Sequence, residues 1–249
     1  MALIDLNFND RGDGPAALLI HGTGTDAGYF ESVAGSLAES FRLVTYDRLG
    51  WGGSVPVGDY LRTSIAEQAI EAGGLLKGLG ITRTSVLGVG FGAVVALELA
   101  LSEPDLVESA TLVEPPLFGL VTAATGGMSA DVVEIRDAAE DGGKEAAYEL
   151  FLNGRLPTLG CGAERLGASA DRGPLAAHTF LVELPAVPAW PLDPHRLAAI
   201  QAEVVVATTP STPPLLMRAA EGITPRIPGA ERICTVRDGD EALIELLLG

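Results

Sequence analysis

Gly88-Val89-Gly90-Phe91-Gly92 lies between an apolar run, Arg83–Leu87 (RTSVL), and a helical pattern, Phe91–Leu101. Three glycines at alternate positions between a strand and a helix read as a sharp turn with close backbone approach. Working outward towards the N-terminus, Ala16–Ile20 (AALLI) is a strand that runs into His21-Gly22-Thr23-Gly24-Thr25. Gly28–Ser40 has Phe30, Val33, Ala34, Leu37 and Ala38 on one helical face. Phe41–Tyr46 (FRLVTY) is a further strand, closed by the loop Asp47-Arg48-Leu49-Gly50-Trp51-Gly52-Gly53-Ser54. Ser64 and Glu67 form a capping box that opens a helix to about Leu79, where Gly80 stops it.

On the C-terminal side, Ala110–Val113 is a strand ending at Glu114-Pro115-Pro116. Asp193 and Pro194 open a short helix as N-cap and first helical residue. Glu203–Ala207 and Arg232–Val236 read as strands, with helices at Leu215–Glu221 and Asp240–Leu248. This alternation predicts an α/β fold with a mostly parallel sheet covered by helices on both faces. Ligands in such folds sit beyond the carboxyl ends of the strands. The turns after Ile20, Leu87, Val113 and Val236 are therefore the places to look for chemistry. Between Phe118 and Trp190 strand signals vanish, and Asp131–Glu140 and Lys144–Leu152 are the clearest helices. The expected division is a body of residues 1–117 and 191–249 and a helical cap of 118–190.

Composition narrows the function classes. The chain has 249 residues, 47% of them hydrophobic and 20% charged, which supports a large core and excludes global disorder. Its formal net charge of −17 repels phosphate backbones and anionic lipid, so neither a nucleic acid nor a membrane is an expected partner. Two cysteines, Cys161 and Cys234, and three scattered histidines, His21, His178 and His195, make neither a disulfide framework nor a zinc site, although carboxylates could hold Mg2+. No cofactor and no transition metal is expected. The N-terminus lacks a basic region and an apolar segment, and no apolar run is long enough for a bilayer, so the expected location is the cytoplasm. High Ala and Gly content and a preference for Arg over Lys point to a GC-rich bacterial source and a role in specialised metabolism.

Three segments together resemble the α/β-hydrolase superfamily. His21-Gly22-Thr23-Gly24 is similar to that family's oxyanion loop, Asp47 to Ser54 to its D-x-x-G-x-G-x-S loop, and Gly88–Gly92 to its nucleophile elbow, G-x-S-x-G. The helical insertion is similar to its cap. The resemblance implies an α/β-hydrolase fold over nearly the whole chain, with an oxyanion hole formed by the main-chain N–H groups of Thr23 and Phe91.

The departures from that pattern matter as much. The elbow carries Gly90 where the family has its nucleophile. No histidine follows His195, and the segment after the last strand is Arg237-Asp238-Gly239-Asp240. Thr208-Thr209-Pro210-Ser211-Thr212 holds no carboxylate where the family places its acid. With all three positions changed, serine-type acyl transfer is unavailable by this geometry. A retained oxyanion hole would still stabilise any developing enolate or alkoxide.

The candidate acid–base groups are Glu114, at a strand's carboxyl end, Asp238, where the family's histidine belongs, and His178, in the insertion. Each also has an ordinary reading: a solvated loop carboxylate, a helix cap and a packed histidine. His21, Gly22, Gly24, Gly90, Tyr29, Trp51 and Phe118 are the candidate substrate-binding residues, with His21 also suited to ordering its own loop and Trp190 a further pocket aromatic. Asp47 and Arg48 read as a structural salt bridge. Cys161, flanked by glycines, has no activating neighbour. The expected function is cofactor-free proton transfer on a carbonyl-bearing small molecule: cyclisation, elimination, isomerisation or decarboxylation. The alternatives are a pseudo-hydrolase that binds a ligand or partner, a dinucleotide-dependent oxidoreductase reading Gly88-Val89-Gly90-Phe91-Gly92-Ala93 as G-x-G-x-x-A with Glu114 as the ribose acid, and hydrolysis by a displaced Ser54 or Ser85.

Overall fold

The structure is a computed structural model that describes residues 5–122, 124–156, 158–159 and 170–248. Seven strands form one sheet in the order β1-β3-β2-β4-β5-β6-β7. They are β1 (Phe8–Arg11), β2 (Ala16–Ile20), β3 (Arg42–Tyr46), β4 (Thr84–Val89), β5 (Val107–Val113), β6 (Glu203–Thr208) and β7 (Glu231–Cys234). Every neighbouring pair is parallel except β1 with β3, where Phe8 faces Tyr46 and Arg11 faces Leu43. The α/β class and the mostly parallel sheet are as the sequence predicts. β1 is the strand that the sequence does not announce. Its FNDR segment alternates exposed and half-buried positions, and β3 supplies its ladder. An exposed edge with polar side chains has no need of an apolar run.

The helices are α1 (Glu31–Ala38), α2 (Ile65–Gly78), α3 (Phe91–Ser102), α4 (Ala124–Leu152), α5 (Ala176–Glu183), α6 (Ala186–Ala189), α7 (Pro194–Ala198), α8 (Pro214–Ile223) and α9 (Gly239–Leu248). Ser64 Oγ accepts from the Glu67 N–H at α2, and Asp193 Oδ1 accepts from the His195 N–H at α7, so both expected N-caps form. The expected helix Gly28–Ser40 begins instead as a 3-10 turn over Ala27–Phe30, capped by Asp26, before α1. One side of the sheet packs Leu19, Leu43 and Leu87 with Phe30 and Leu37 and with Leu243 of α9. The other side packs Leu18, Ile20 and Leu112 with α2, α3 and α8. Because α3 is enclosed, all of Phe91–Ala100 is buried, including Glu98. Glu98 receives the Trp190 indole N–H at 2.9 Å and pairs with Arg196 at 2.8 Å, which offsets the cost of burying a carboxylate.

Between β5 and β6 the described residues form α4, α5, α6 and α7 and no strand. α4 is broken at Gly143 (φ 79°, ψ 179°), between the two helices expected at Asp131–Glu140 and Lys144–Leu152. Trp51 of the body joins Ile135, Tyr148, Phe151 and Phe180 in a cluster that holds this segment against the sheet's carboxyl edge. Cys161 lies outside the described residues.

Candidate functional site

Three strand ends converge on one cavity, and the fourth turn expected, after β7, does not line it. β2 runs into Gly22 and Thr23, β4 into Gly90 and Phe91, and β5 into Glu114; the helical segment closes the far side with Phe151, Phe180, Glu183 and Val187. The cavity volume is about 170 Å³ and its walls are mostly apolar.

The elbow is built by glycine sterics. A Cβ on Gly88 would lie 2.1 Å from the Gly92 carbonyl oxygen, and one on Gly92 would lie 2.2 Å from the Ile20 carbonyl oxygen. Neither gap admits a side chain, so α3 starts hard against β2 and β4. Gly90 differs. Its φ of 57° and ψ of −121° form the sharp strand-to-helix apex, yet a Cβ there would meet only Gly22 Cα at 4.0 Å. The apex has room for a side chain and carries none. Phe91 opens α3, where an N–H has no intrahelical partner. Among the described residues no hydrogen bond engages the N–H of Phe91 or Thr23.

Glu114 is the residue just beyond β5. It is 4% exposed and has φ 51°, the single non-glycine residue with positive φ among those described. Such backbone strain costs on the order of 1–3 kcal/mol and persists only where surrounding structure imposes it. Here the Glu114 N–H donates to the Ala207 carbonyl at 3.0 Å, and Glu114 Oε1 accepts from Thr212 Oγ1 at 2.5 Å and Thr209 Oγ1 at 3.4 Å. The carboxylate is thereby held at the cavity wall.

A second carboxylate, Glu183 at the end of α5, was not singled out by sequence reasoning. It is 1% exposed and pairs with the fully buried Arg48. Glu183 also accepts from the Trp51 indole at 2.9 Å, Gln68 Nε2 at 3.1 Å and Thr23 Oγ1 at 3.1 Å. The available signal was its position as the one carboxylate between Asp171 and Asp193, set between Val182 and Leu184. Arg48 therefore pairs with Glu183 rather than Asp47. Asp47 instead accepts from Asn7 Nδ2 and the N–H groups of Ala27 and Gly53. Close behind this pair Glu71 of α2 has a buried oxygen with no hydrogen-bond partner among the described residues. Burial pushes its carboxyl up to about 7, with the Arg48 charge opposing and Glu67 and Glu183 reinforcing.

The remaining candidates are placed as follows. Thr23, Phe91, Glu114, Gly22, Gly90, Tyr29 and Phe118 all line the cavity. His21 does not: it is fully buried, its Nε2 accepts from the Arg48 N–H at 2.9 Å, and its Nδ1 therefore carries the proton given to the Gly22 carbonyl at 2.8 Å. Burial, and then the Arg48 charge, hold its pKa well below the usual histidine range, so it is neutral and orders the loop. Gly24 turns away (φ 84°), its carbonyl accepting from the Asp171 N–H. Trp51 is buried in the Tyr148–Phe180 cluster, because its indole spans to Glu183 instead of the cavity. His178 faces out of the cavity and bonds the Tyr60 carbonyl at 2.5 Å. Asp238 is exposed and accepts from the N–H and Oγ of Ser211, tying the β7 loop to the β6 loop. Ser54 donates to the Asp47 carbonyl and Ser85 accepts from Ser109, so both lie within the body. His195 is exposed and Trp190 is held by Glu98.

Comparison with known proteins agrees with this architecture. A sequence model of the alpha/beta hydrolase family matches residues 17–239. Among curated proteins, the uncharacterized protein Rv2715 of Mycobacterium tuberculosis is 34% identical over 154 residues, covering 61% of this chain and 41% of that protein. The chain thus spans less than half the length of that relative. Among solved structures, a hydrolase from Pseudomonas aeruginosa superposes with a TM-score of 0.72 at 22% identity, covering 97% of this chain and 93% of that one. Est816, described as an N-acyl homoserine lactone degrading enzyme, superposes at 0.73 with 20% identity, covering 98% and 96%. Similarities of this size establish a shared fold. Among the described residues no helix is long and apolar enough to cross a membrane.

Proposed function

The chain belongs to the alpha/beta hydrolase family, and from that membership we propose that it is a non-hydrolytic enzyme that binds a carbonyl compound and moves a proton on it. The observation that carries the proposal is the elbow apex: the family's turn is present with two unengaged amides beside it, and Gly90 offers no nucleophile. Nothing in that turn can form an acyl-enzyme, but N–H groups fixed at a carbonyl oxygen still stabilise an enolate. Glu114 is the base at the same cavity, held in a strained backbone that aims its carboxylate. Asp238 and His178 do not line the cavity, which leaves Glu114 as the acid–base group of choice. Helices α4, α5 and α6 act as the cap that keeps water from the enolate.

The cavity also suggests a substrate class. It is lined by Tyr29, Phe91, Phe118, Phe151 and Phe180, and by no cationic side chain among the described residues. Arg48, the nearby cation, is neutralised by Glu183. Two carboxylates and no free positive charge disfavour phosphorylated or acidic ligands. A volume of about 170 Å³ is of the order that holds a single aromatic ring. The substrate is a compact, neutral, apolar or aromatic carbonyl compound.

Deuterium exchange at the α-carbon of acetophenone and related aryl ketones, followed by NMR, tests this. The wild type accelerates exchange, and Glu114→Gln lowers the rate at least 100-fold, the scale of a lost general base. Absence of exchange across such a panel, or ready turnover of p-nitrophenyl acetate, overturns the proposal. The second reading, a ligand-binding protein, is favoured by the two threonine hydroxyls already engaged with Glu114; it predicts ketone binding without exchange.

A further inference from the structure

The Gly22–Thr23 peptide is held from one side by unusual force. The Gly22 carbonyl accepts three hydrogen bonds: from His21 Nδ1 at 2.8 Å, Thr25 Oγ1 at 3.2 Å and Arg48 Nη2 at 3.1 Å. Arg48 Nε also donates to the His21 carbonyl at 3.0 Å, so one guanidinium grips two successive peptides. A trans peptide is planar, with its C=O and N–H pointing in opposite directions. A carbonyl drawn towards Arg48 therefore sends the Thr23 N–H the other way. Thr23 lines the cavity, and no hydrogen bond among the described residues takes that N–H.

What holds Arg48 comes from the helical segment. Glu183, at the end of α5, pairs with both terminal nitrogens of Arg48 and accepts from Thr23 Oγ1 at 3.1 Å. One buried carboxylate thus touches both the clamp and the residue whose amide the clamp orients. Resting on the carbonyl-binding reading above, we infer that Glu183 is a positioning residue for the oxyanion donor at Thr23, so that seating the helical segment on the body and aiming the amide are one event. Glu183 acts through Arg48 and the Thr23 hydroxyl. This differs from a general packing role, because Glu183 ties down one named peptide plane. It also accounts for a buried ion pair, which is seldom retained for stability alone.

The test separates the positioning inference from the reading on which it rests. Two variants of the full chain are used: Thr23→Val, which cuts the tether and leaves the ion pair, and Glu183→Gln, with Thr23→Ser as the conservative rescue. The first readout needs no ligand: the backbone amide resonance at position 23 in a 1H–15N NMR spectrum. Because a substitution at 23 itself moves the chemical shift, linewidth is read: the inference expects the resonance to broaden in Thr23→Val and Glu183→Gln and to stay single and sharp in Thr23→Ser. The second readout is binding of 4-nitrophenol, whose absorbance distinguishes phenol from phenolate. Relative to the wild type, Thr23→Val lowers the ratio of phenolate to phenol affinity about 10-fold, and Thr23→Ser restores it. An amide resonance at position 23 that stays single and sharp in Thr23→Val overturns the positioning role, whatever Glu183→Gln does to folding. A wild type that binds neither phenol nor phenolate overturns the carbonyl-binding reading instead, and the amide resonance alone then decides the inference.

Discussion

At the residue scale, the three elbow glycines serve different physical ends. Gly88 and Gly92 are required by distance, since any Cβ there would overlap a carbonyl oxygen of the neighbouring backbone. Gly90 is required only by its dihedrals. Gly92→Ala is therefore expected to cost more than 4 kcal/mol, on the order of the most severe core substitutions. Gly90→Ala should cost about 1–3 kcal/mol, the strain of its positive φ. Urea denaturation of the two variants ranks them; an equal cost would mean that the elbow relaxes around a side chain. Gly90→Ser should fold with a similar penalty and gain no esterase activity on p-nitrophenyl acetate, because no histidine among the described residues lines the cavity. Of these three glycines the sequence shows the spacing. Which of them stands in open space is decided by Gly22 of another strand end, and spacing alone does not reveal it.

At the scale of elements, the contact between α5, α2 and the Asp47–Ser54 loop is polar and buried. Arg48→Leu leaves Glu183 as a buried charge without its counter-ion, a loss of about 3–5 kcal/mol. The double variant Arg48→Leu with Glu183→Leu should recover most of it, because both charges then go together. Denaturation midpoints of the two singles and the double give the coupling directly, and additive losses would show that the pair does not act as a unit. Glu71 of α2 adds a pH dependence to the same contact. Its folded-state pKa of about 7 lies above the ordinary value of 4.5, so folding favours its protonated form. That contribution is fully present below about pH 4.5 and is lost as pH rises through 7. Glu71→Gln should match the wild type at pH 4.5 and exceed its stability at pH 8 by on the order of 1–3 kcal/mol, measured by urea titration at both pH values. None of this network is legible from local pattern: Glu183 lies 135 positions from Arg48, and α2 gives Gln68 and Glu71 no signal beyond amphipathic helix.

At the scale of the whole molecule, a net charge of −17 on 249 residues means that the compact state repels itself. Raising NaCl from about 20 to 300 mM shortens the screening length several-fold and should raise the melting temperature by a few degrees. Replacing NaCl by an equal concentration of sucrose should not reproduce that ionic-strength dependence. A melting temperature indifferent to salt would show that the excess carboxylates lie too far apart to act on one another in the folded state. The same acidity lies around a cavity whose own charged residues are carboxylates, so the molecule as a whole and its site favour neutral ligands.

The amino-acid sequence alone determined the α/β alternation, three of the strand ends that meet the cavity and the glycine turn. Strand and helix periodicity, caps and turn glycines are local, and local signals need no partner to be read. It also placed Thr23, Phe91 and Glu114 on candidate turns. Only the tertiary structure decided that Asp238 and His178 are occupied by Ser211 and Tyr60, that His21 and Trp51 serve the loop and the helical contact, and that Glu183 reaches Arg48. Each of these depends on which buried donor finds which acceptor across the fold, and that choice is made by packing distances rather than by neighbours along the chain.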